Sequence, residues 1–205
     1  MKRLIARVIA GAAVLAAAGC AQAGITLTGG TFRTFSGYDV PPVLTDPQST
    51  GLENAVLVGG VGTEFTATFL GKEAAHINQF WVNGALVFNN LASAPTTYGP
   101  FAAGNPISFQ FKDTATGSVV GDGGAATFAS YVVLGTQAGG VFTPYTKGGQ
   151  FDFVLGFNDG ATHDADFDDL VVGFKVTAVP EPETYALMLA GLGVVGFVAR
   201  RRRNV

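Results

Sequence analysis

Between residues 24 and 179, apolar and polar side chains take turns along short runs, and Phe is the commonest large apolar member. Phe65, Ala67 and Phe69 alternate with Glu64, Thr66 and Thr68. Ile107, Phe109 and Phe111 alternate with Ser108, Gln110 and Lys112. Phe151, Phe153, Leu155 and Phe157 share one side of a further run. Leu170, Val172, Phe174 and Val176 share one side of the last, with Gly173, Lys175 and Thr177 opposite. A period of two lines one face of an extended strand and gives no helical stripe. No stretch of ten or more residues in this span carries a helical period. Residues 79–82 and 85–88 flank Asn83-Gly84, a dipeptide suited to the positive φ angles of a type I′ hairpin turn. Further strands are expected near 25–28, 31–35, 55–58, 127–134 and 141–145. Residues 37–51, with Pro41, Pro42 and Pro47, read as a long surface loop.

Glycine, 29 of 205 residues, punctuates these runs at Asp122-Gly123-Gly124, Gly139-Gly140 and Gly148-Gly149. Short alternating strands between turn residues predict an all-β, antiparallel β-sandwich over 24–178, jelly-roll-like in outline. Seventeen Phe residues supply its core, each buried ring contributing about 2–3 kcal/mol. The single Cys, Cys20, excludes an internal disulfide and a cysteine-built zinc site.

The net charge of −3 conceals an asymmetry. Between 24 and 179 thirteen acids face five bases, a net −8, while the basic residues crowd the two ends. No basic surface points to nucleic acid. At the start, Lys2, Arg3 and Arg7 precede an apolar stretch over 8–18 and the small-x-small triplet Ala21-Gln22-Ala23. That layout is a signal peptide, residues 1–23, cut by signal peptidase after Ala23. Ala17-Ala18-Gly19-Cys20 resembles a bacterial lipobox, in which Cys20 would be lipidated. Ala17 stands where that motif usually has Leu, so cleavage after Ala23 is the preferred reading.

At the other end, Pro180-Glu181-Pro182-Glu183 is followed by a charge-free stretch to Ala199 and then by Arg200, Arg201, Arg202 and Arg203. The prolines fix φ and remove N–H donors, so 180–182 is expected to stay extended and outside any helix. Residues 185–199 would span about 22 Å as a helix, short of a ~30 Å hydrocarbon core unless the flanks snorkel or the bilayer thins. The arginines form a cytoplasmic stop by the positive-inside rule. Residues 179–205 closely resemble the PEP-CTERM sorting signal of Gram-negative, exopolysaccharide-producing bacteria. The resemblance implies an exosortase-type transpeptidase as partner, processing near Pro180, Glu181 and Pro182, a transient membrane anchor through a transmembrane helix, and a final place in the cell envelope or outside it, with exopolysaccharide as a further partner. It says nothing about the cargo.

The densest polar segment is 158–169, where Asp159, Asp164, Asp166, Asp168 and Asp169 lie between two apolar runs. Two readings fit. Ca²⁺, which takes six to eight oxygens in flexible geometry, would remove the mutual repulsion. Alternatively the carboxylates cap backbone N–H groups in a solvated turn. The segment is not an EF-hand. Asp164-Ala165-Asp166-Phe167-Asp168-Asp169-Leu170-Val171-Val172 is similar to the signature of a family of uncharacterised β-domains in bacterial surface proteins, and that similarity implies no catalytic activity. An exposed setting would leave these carboxylates ordinary acidity.

No catalytic residues are assigned. Glu73-Ala74-Ala75-His76 lacks the spacing of a zincin and His76 is placed on a loop. His163 beside Asp164 has no accompanying nucleophile elbow. Trp81 is placed in the core, although on a strand it could also stack on a sugar. The expected function is that of an exported, exosortase-sorted envelope or matrix protein with a non-catalytic sandwich whose acidic segment either holds a structural calcium or caps its own loop. The alternatives are a carbohydrate-binding module or polysaccharide-acting enzyme of the same fold, and a self-assembling matrix protein.

Overall fold

A computed structural model describes residues 24–35, 48–124, 129–160, 166–179 and 182–203. Fourteen strands and one helix are described. In chain order the strands are β1 (Ile25–Thr28), β2 (Thr31–Thr34), β3 (Thr50–Glu53), β4 (Val56–Gly59), β5 (Thr63–Gly71), β6 (Asn78–Val82) and β7 (Ala85–Asn89). They continue as β8 (Thr96–Ala102), β9 (Phe109–Asp113), β10 (Val119–Gly121), β11 (Ser130–Ala138), β12 (Val141–Pro144), β13 (Phe153–Asn158) and β14 (Leu170–Ala178). The helix α1 spans Pro182–Arg203.

The strands form an antiparallel sandwich of unequal sheets. The large sheet runs β2-β3-β11-β13-β14-β5-β8, with β12 paired to β11. The small sheet runs β10-β9-β6-β7, and β1 pairs with β4 apart from both. Between the sheets lies a core in which alternation decides membership. Phe65, Ala67 and Phe69 of β5 and Leu170, Val172 and Phe174 of β14 meet Phe80 and Val82 of β6 and Phe109 and Phe111 of β9. Phe80 touches four rings, with centroids at 5.2 Å from Phe88, 6.2 Å from Phe109, 5.2 Å from Phe111 and 5.9 Å from Phe174. Phe111 stacks almost parallel on Phe157 across the sheets, at 5.0 Å and 4°.

The middle of the large sheet is buried on both faces, so β13 and the first half of β14 read as continuous apolar runs. A second cluster of Phe35, Leu70, Val132, Leu134, Phe151, Val154, Phe167 and Val171 covers the outer side. Phe151 therefore belongs here, not with Phe153, Leu155 and Phe157 as the alternation suggested. It precedes β13, and its ring lies where a Cβ on Gly173 would be, 2.7 Å away.

Asn83 and Gly84 take φ of 51° and 76°, the double positive φ of a type I′ turn, between Val82 and its partner Ala85. Three strands had no sequence signal. β3 begins at Thr50, inside the stretch read as a loop, and pairs β2 with β11. β8 contains Gly99 and Pro100 and sits at the edge of its sheet, where a missing N–H is tolerated. β10 is three residues long.

Trp81 is the principal departure from the expected core. Phe80 and Val82 point inward, so strict alternation turns Trp81 to the outer face of the small sheet, where it is only half-buried. Phe80→Ala is expected to lower stability by about 3–5 kcal/mol, because it empties the centre of the aromatic core. Chemical denaturation checks this, and a loss near zero would contradict the packing described.

Candidate functional site

The register of the sheets gathers the polar residues at one end of the sandwich. β5 leaves its sheet where β14 joins it, with Gly71 opposite Val171. The Glu73 N–H donates to the Asp168 carbonyl at 2.9 Å and extends that pairing past the strand ends. β6 begins at Asn78 opposite Asp113, the last residue of β9. β13 ends at Asn158, one residue before Asp159. Segments far apart in sequence thus converge there.

Glu73, Asp166 and Asp168 each bring a carboxylate oxygen to within 4.8 Å of the others. Glu73 is exposed, whereas Asp166 is 8% and Asp168 1% accessible. Burial first, then the charges of Asp166 and Glu73, push the Asp168 carboxyl up to about 8. The expectation of ordinary acidity fails for Asp168, because the apolar strands on either side draw it inside. Its folded-state value lies above that of the unfolded chain. Without a counter-charge, its contribution to stability therefore falls as pH rises from about 4 towards 8.

The backbone between the two buried acids is constrained. Phe167 has a φ of 61°, unusual for a bulky residue, and its ring packs on Phe35 at 5.1 Å. Its carbonyl lies over Gly156 of β13, and a Cβ on Gly156 would meet that oxygen at 2.2 Å. Gly156 thus lets the segment carrying Asp166 and Asp168 lie flat on the sheet.

Asp159 and Asp169 serve a neighbouring network. Asn78 Nδ2 donates to Asp159 Oδ2 at 2.8 Å, and the Asp159 N–H donates to Asp169 Oδ2 at 2.7 Å. His76, on the loop after β5 as expected, places Nδ1 3.1 Å from Asp113 Oδ2 and 3.9 Å from Asp159 Oδ2. The Asp113 hydrogen bond raises the His76 pKa; burial opposes this, and the charges of Asp113, Asp159 and Asp169 add to it. For Asp113 burial works upward. Hydrogen bonds from Thr116, Ala115 and His76 outweigh it and hold the carboxyl below its usual value. The Gly160 N–H donates to Asn158 Oδ1 at 2.7 Å, closing a turn by side-chain capping.

Of the five acids singled out in the sequence, Asp166 and Asp168 come together, Asp159 faces Asn78, and Asp169 caps the Asp159 N–H. Asp164 and His163 lie outside the described residues. Glu73 joins the pair although nothing in its own surroundings in the chain marks it. Only the antiparallel pairing of β5 with β14 reveals it. Three clustered carboxylates with a buried, protonation-prone member have the donor set of a hard divalent cation.

The second functional segment is the C-terminal one. Pro182 is the first residue of α1, not part of an extended stretch. At that position a missing N–H costs nothing and φ is already helical. Pro180 and Glu181, like Ala21, Ala23 and Cys20, lie outside the described residues. Leu187, Leu189, Leu192, Val195 and Phe197 of α1 are exposed, and Arg200 to Arg203 occupy its last turn. Among the described residues, no helix is long and apolar enough to cross a membrane.

Fold and tail together define the class: a β-sandwich cargo ending in a short hydrophobic address segment. Residues 178–203 match the PEP-CTERM protein-sorting motif. The chain is thus an exported protein sorted by an exosortase, with a C-terminal region that anchors it transiently at the membrane. No curated protein and no solved structure matches the chain.

Gly156→Ala is expected to lift the 166–168 segment from the sheet and to lower stability by about 1–3 kcal/mol. Denaturation of the variant tests this. A variant as stable as the parent would show that the segment has room to move.

Proposed function

We propose that the exported domain is a non-catalytic β-sandwich of the cell envelope or its surrounding matrix, whose tail is a removable tether and whose polar end holds a structural Ca²⁺. In this reading signal peptidase cuts after Ala23. The C-terminal segment holds the chain at the bilayer, Arg200 to Arg203 stay cytoplasmic, and the exosortase acts near Pro180, Glu181 and Pro182.

The observation that carries the tether reading is where the fold stops. β14 ends at Ala178, where the sorting motif begins, and the Val179 N–H closes on the Gly62 carbonyl at 2.8 Å. A cut after that point removes no strand. A chain stopped after Val179 is expected to melt at the temperature of the full chain and to leave the membrane fraction. Loss of cooperative melting, or a full chain never found with membranes, would refute the reading.

The calcium reading draws on the approach of Glu73, Asp166 and Asp168. Asp159 and Asp169, beside the cluster, are further candidates, and Asp164, outside the described residues, is one by its place in the sequence alone. A cation bound only by the folded state at a hundred times its dissociation constant adds about 2.7 kcal/mol, which for a domain of this size is roughly 5–10 °C in Tm. Adding Ca²⁺ to chelated protein should give such a rise. Asp168→Asn should abolish it while leaving the calcium-free protein no less stable, since the amide replaces a carboxyl that the fold keeps protonated. A Tm indifferent to Ca²⁺ would remove the metal from the proposal and leave the capping role.

A further inference from the structure

The outer face of the small sheet combines one aromatic side chain with apolar, amide and cationic ones. Alternation along β6 and β9, with β10 beside them, turns Gln79, Trp81, Gln110, Lys112 and Val119 outward, and Leu86 of β7 lies opposite Trp81. Leu86 is 47% and Val119 45% exposed, so apolar surface is left open here. Trp81 is the sole tryptophan of the chain. Its indole N–H donates to Gln79 Oε1 at 3.0 Å, two residues back on the same strand and the same face. That bond lays the ring along the strand and uses its one polar group, so what remains to offer a ligand is the π face. Gln79 and Gln110 flank the ring, and Gln110 is exposed. An amide there can donate and accept at once, as paired hydroxyls require.

The charge on this face is the reverse of the body's. The domain carries thirteen acids and five bases, yet the one charged side chain turned outward from these strands is Lys112, since Asp113 is buried. Among the described residues Lys112 takes part in no ion pair. It stands opposite Gln79 while Gln110 stands opposite Trp81, a diagonal separation of about 7–8 Å. A ring stacked on Trp81 can therefore direct its own carboxylate, or that of the next unit, to the ammonium.

We propose that this face docks a strand of acidic polysaccharide, with one sugar stacked on Trp81, its hydroxyls on Gln79 and Gln110, and a uronate carboxylate on Lys112. The face shares no residue with the calcium cluster, so either proposal can fail without the other. The test is titration of the full chain in detergent with hexamers of mannuronate, guluronate, galacturonate and glucuronate. The single tryptophan makes its own fluorescence the reporter. The expected result is a saturable change with at least one hexamer that weakens as salt is added. By calorimetry Trp81→Ala should lose the binding heat, and Lys112→Gln should weaken binding about tenfold. Lys112→Gln changes a solvent-facing side chain and decides the matter if Trp81→Ala does not fold. No saturable change at millimolar hexamer, binding untouched by either substitution, or xylohexaose bound as tightly as every uronate would each overturn the proposal.

Discussion

The two sheets are held face to face by aromatic rings that interlock across the gap, and the other features of the domain follow from that contact. Phe80 of the small sheet reaches Phe174 of the large one, and Phe111 lies flat on Phe157. With no disulfide to close the chain, burial of these rings is the principal source of cohesion. Such a core fixes the register of both sheets. A slip of one residue on β6 would put Trp81 inside and Phe80 in water. The register in turn decides what the surface can offer: an indole on one face and carboxylates at one end.

The same constraint explains the unusual state of Asp168. β14 is central and apolar on both faces, so the segment leading into it is carried inward, and Asp168, two residues before the strand, is buried whatever its charge. Gly156 and Gly173 make room on the outer side, one for the Phe167 carbonyl and the other for the Phe151 ring. The large sheet is thereby covered on both sides by one chain, and the acidic segment is pressed down with its cover. The buried carboxyl is a consequence of packing.

What the residues disclose unaided is uneven, for physical reasons. Period-two runs such as 64–70 and 107–112 identify their strands because one face is wet and the other dry. Asn83-Gly84 identifies its turn because few other pairs accept two positive φ angles. β10 escapes notice because three residues hold too little alternation, β3 because Gly51 interrupts its run at the end of a proline-bearing stretch, and β8 because Pro100 argues against any strand but an edge one. The acidic segment is visible as a run of Asp, but Glu73 is not, since its proximity depends on a pairing between residues a hundred positions apart. Trp81 was misplaced through residue type: a large aromatic suggests the core, whereas here its position in the alternation prevails. Pro182 was misplaced because the first turn of a helix accepts proline where later turns do not.

The order of the strands also links the tail to the polar end. β14 is the last strand in sequence yet lies in the middle of its sheet, between β13 and β5. The large sheet is complete only when the residues nearest the sorting motif have inserted. Pairing of this kind closes long loops and comes late, since β5 precedes β14 by about a hundred residues. The acidic segment leads into β14, and there Glu73 at the exit of β5 meets Asp166 and Asp168. Bringing those carboxylates together opposes the insertion. The membrane tether follows β14 directly, so the chemistry at the polar end bears on the same strand whose docking separates the folded cargo from its address.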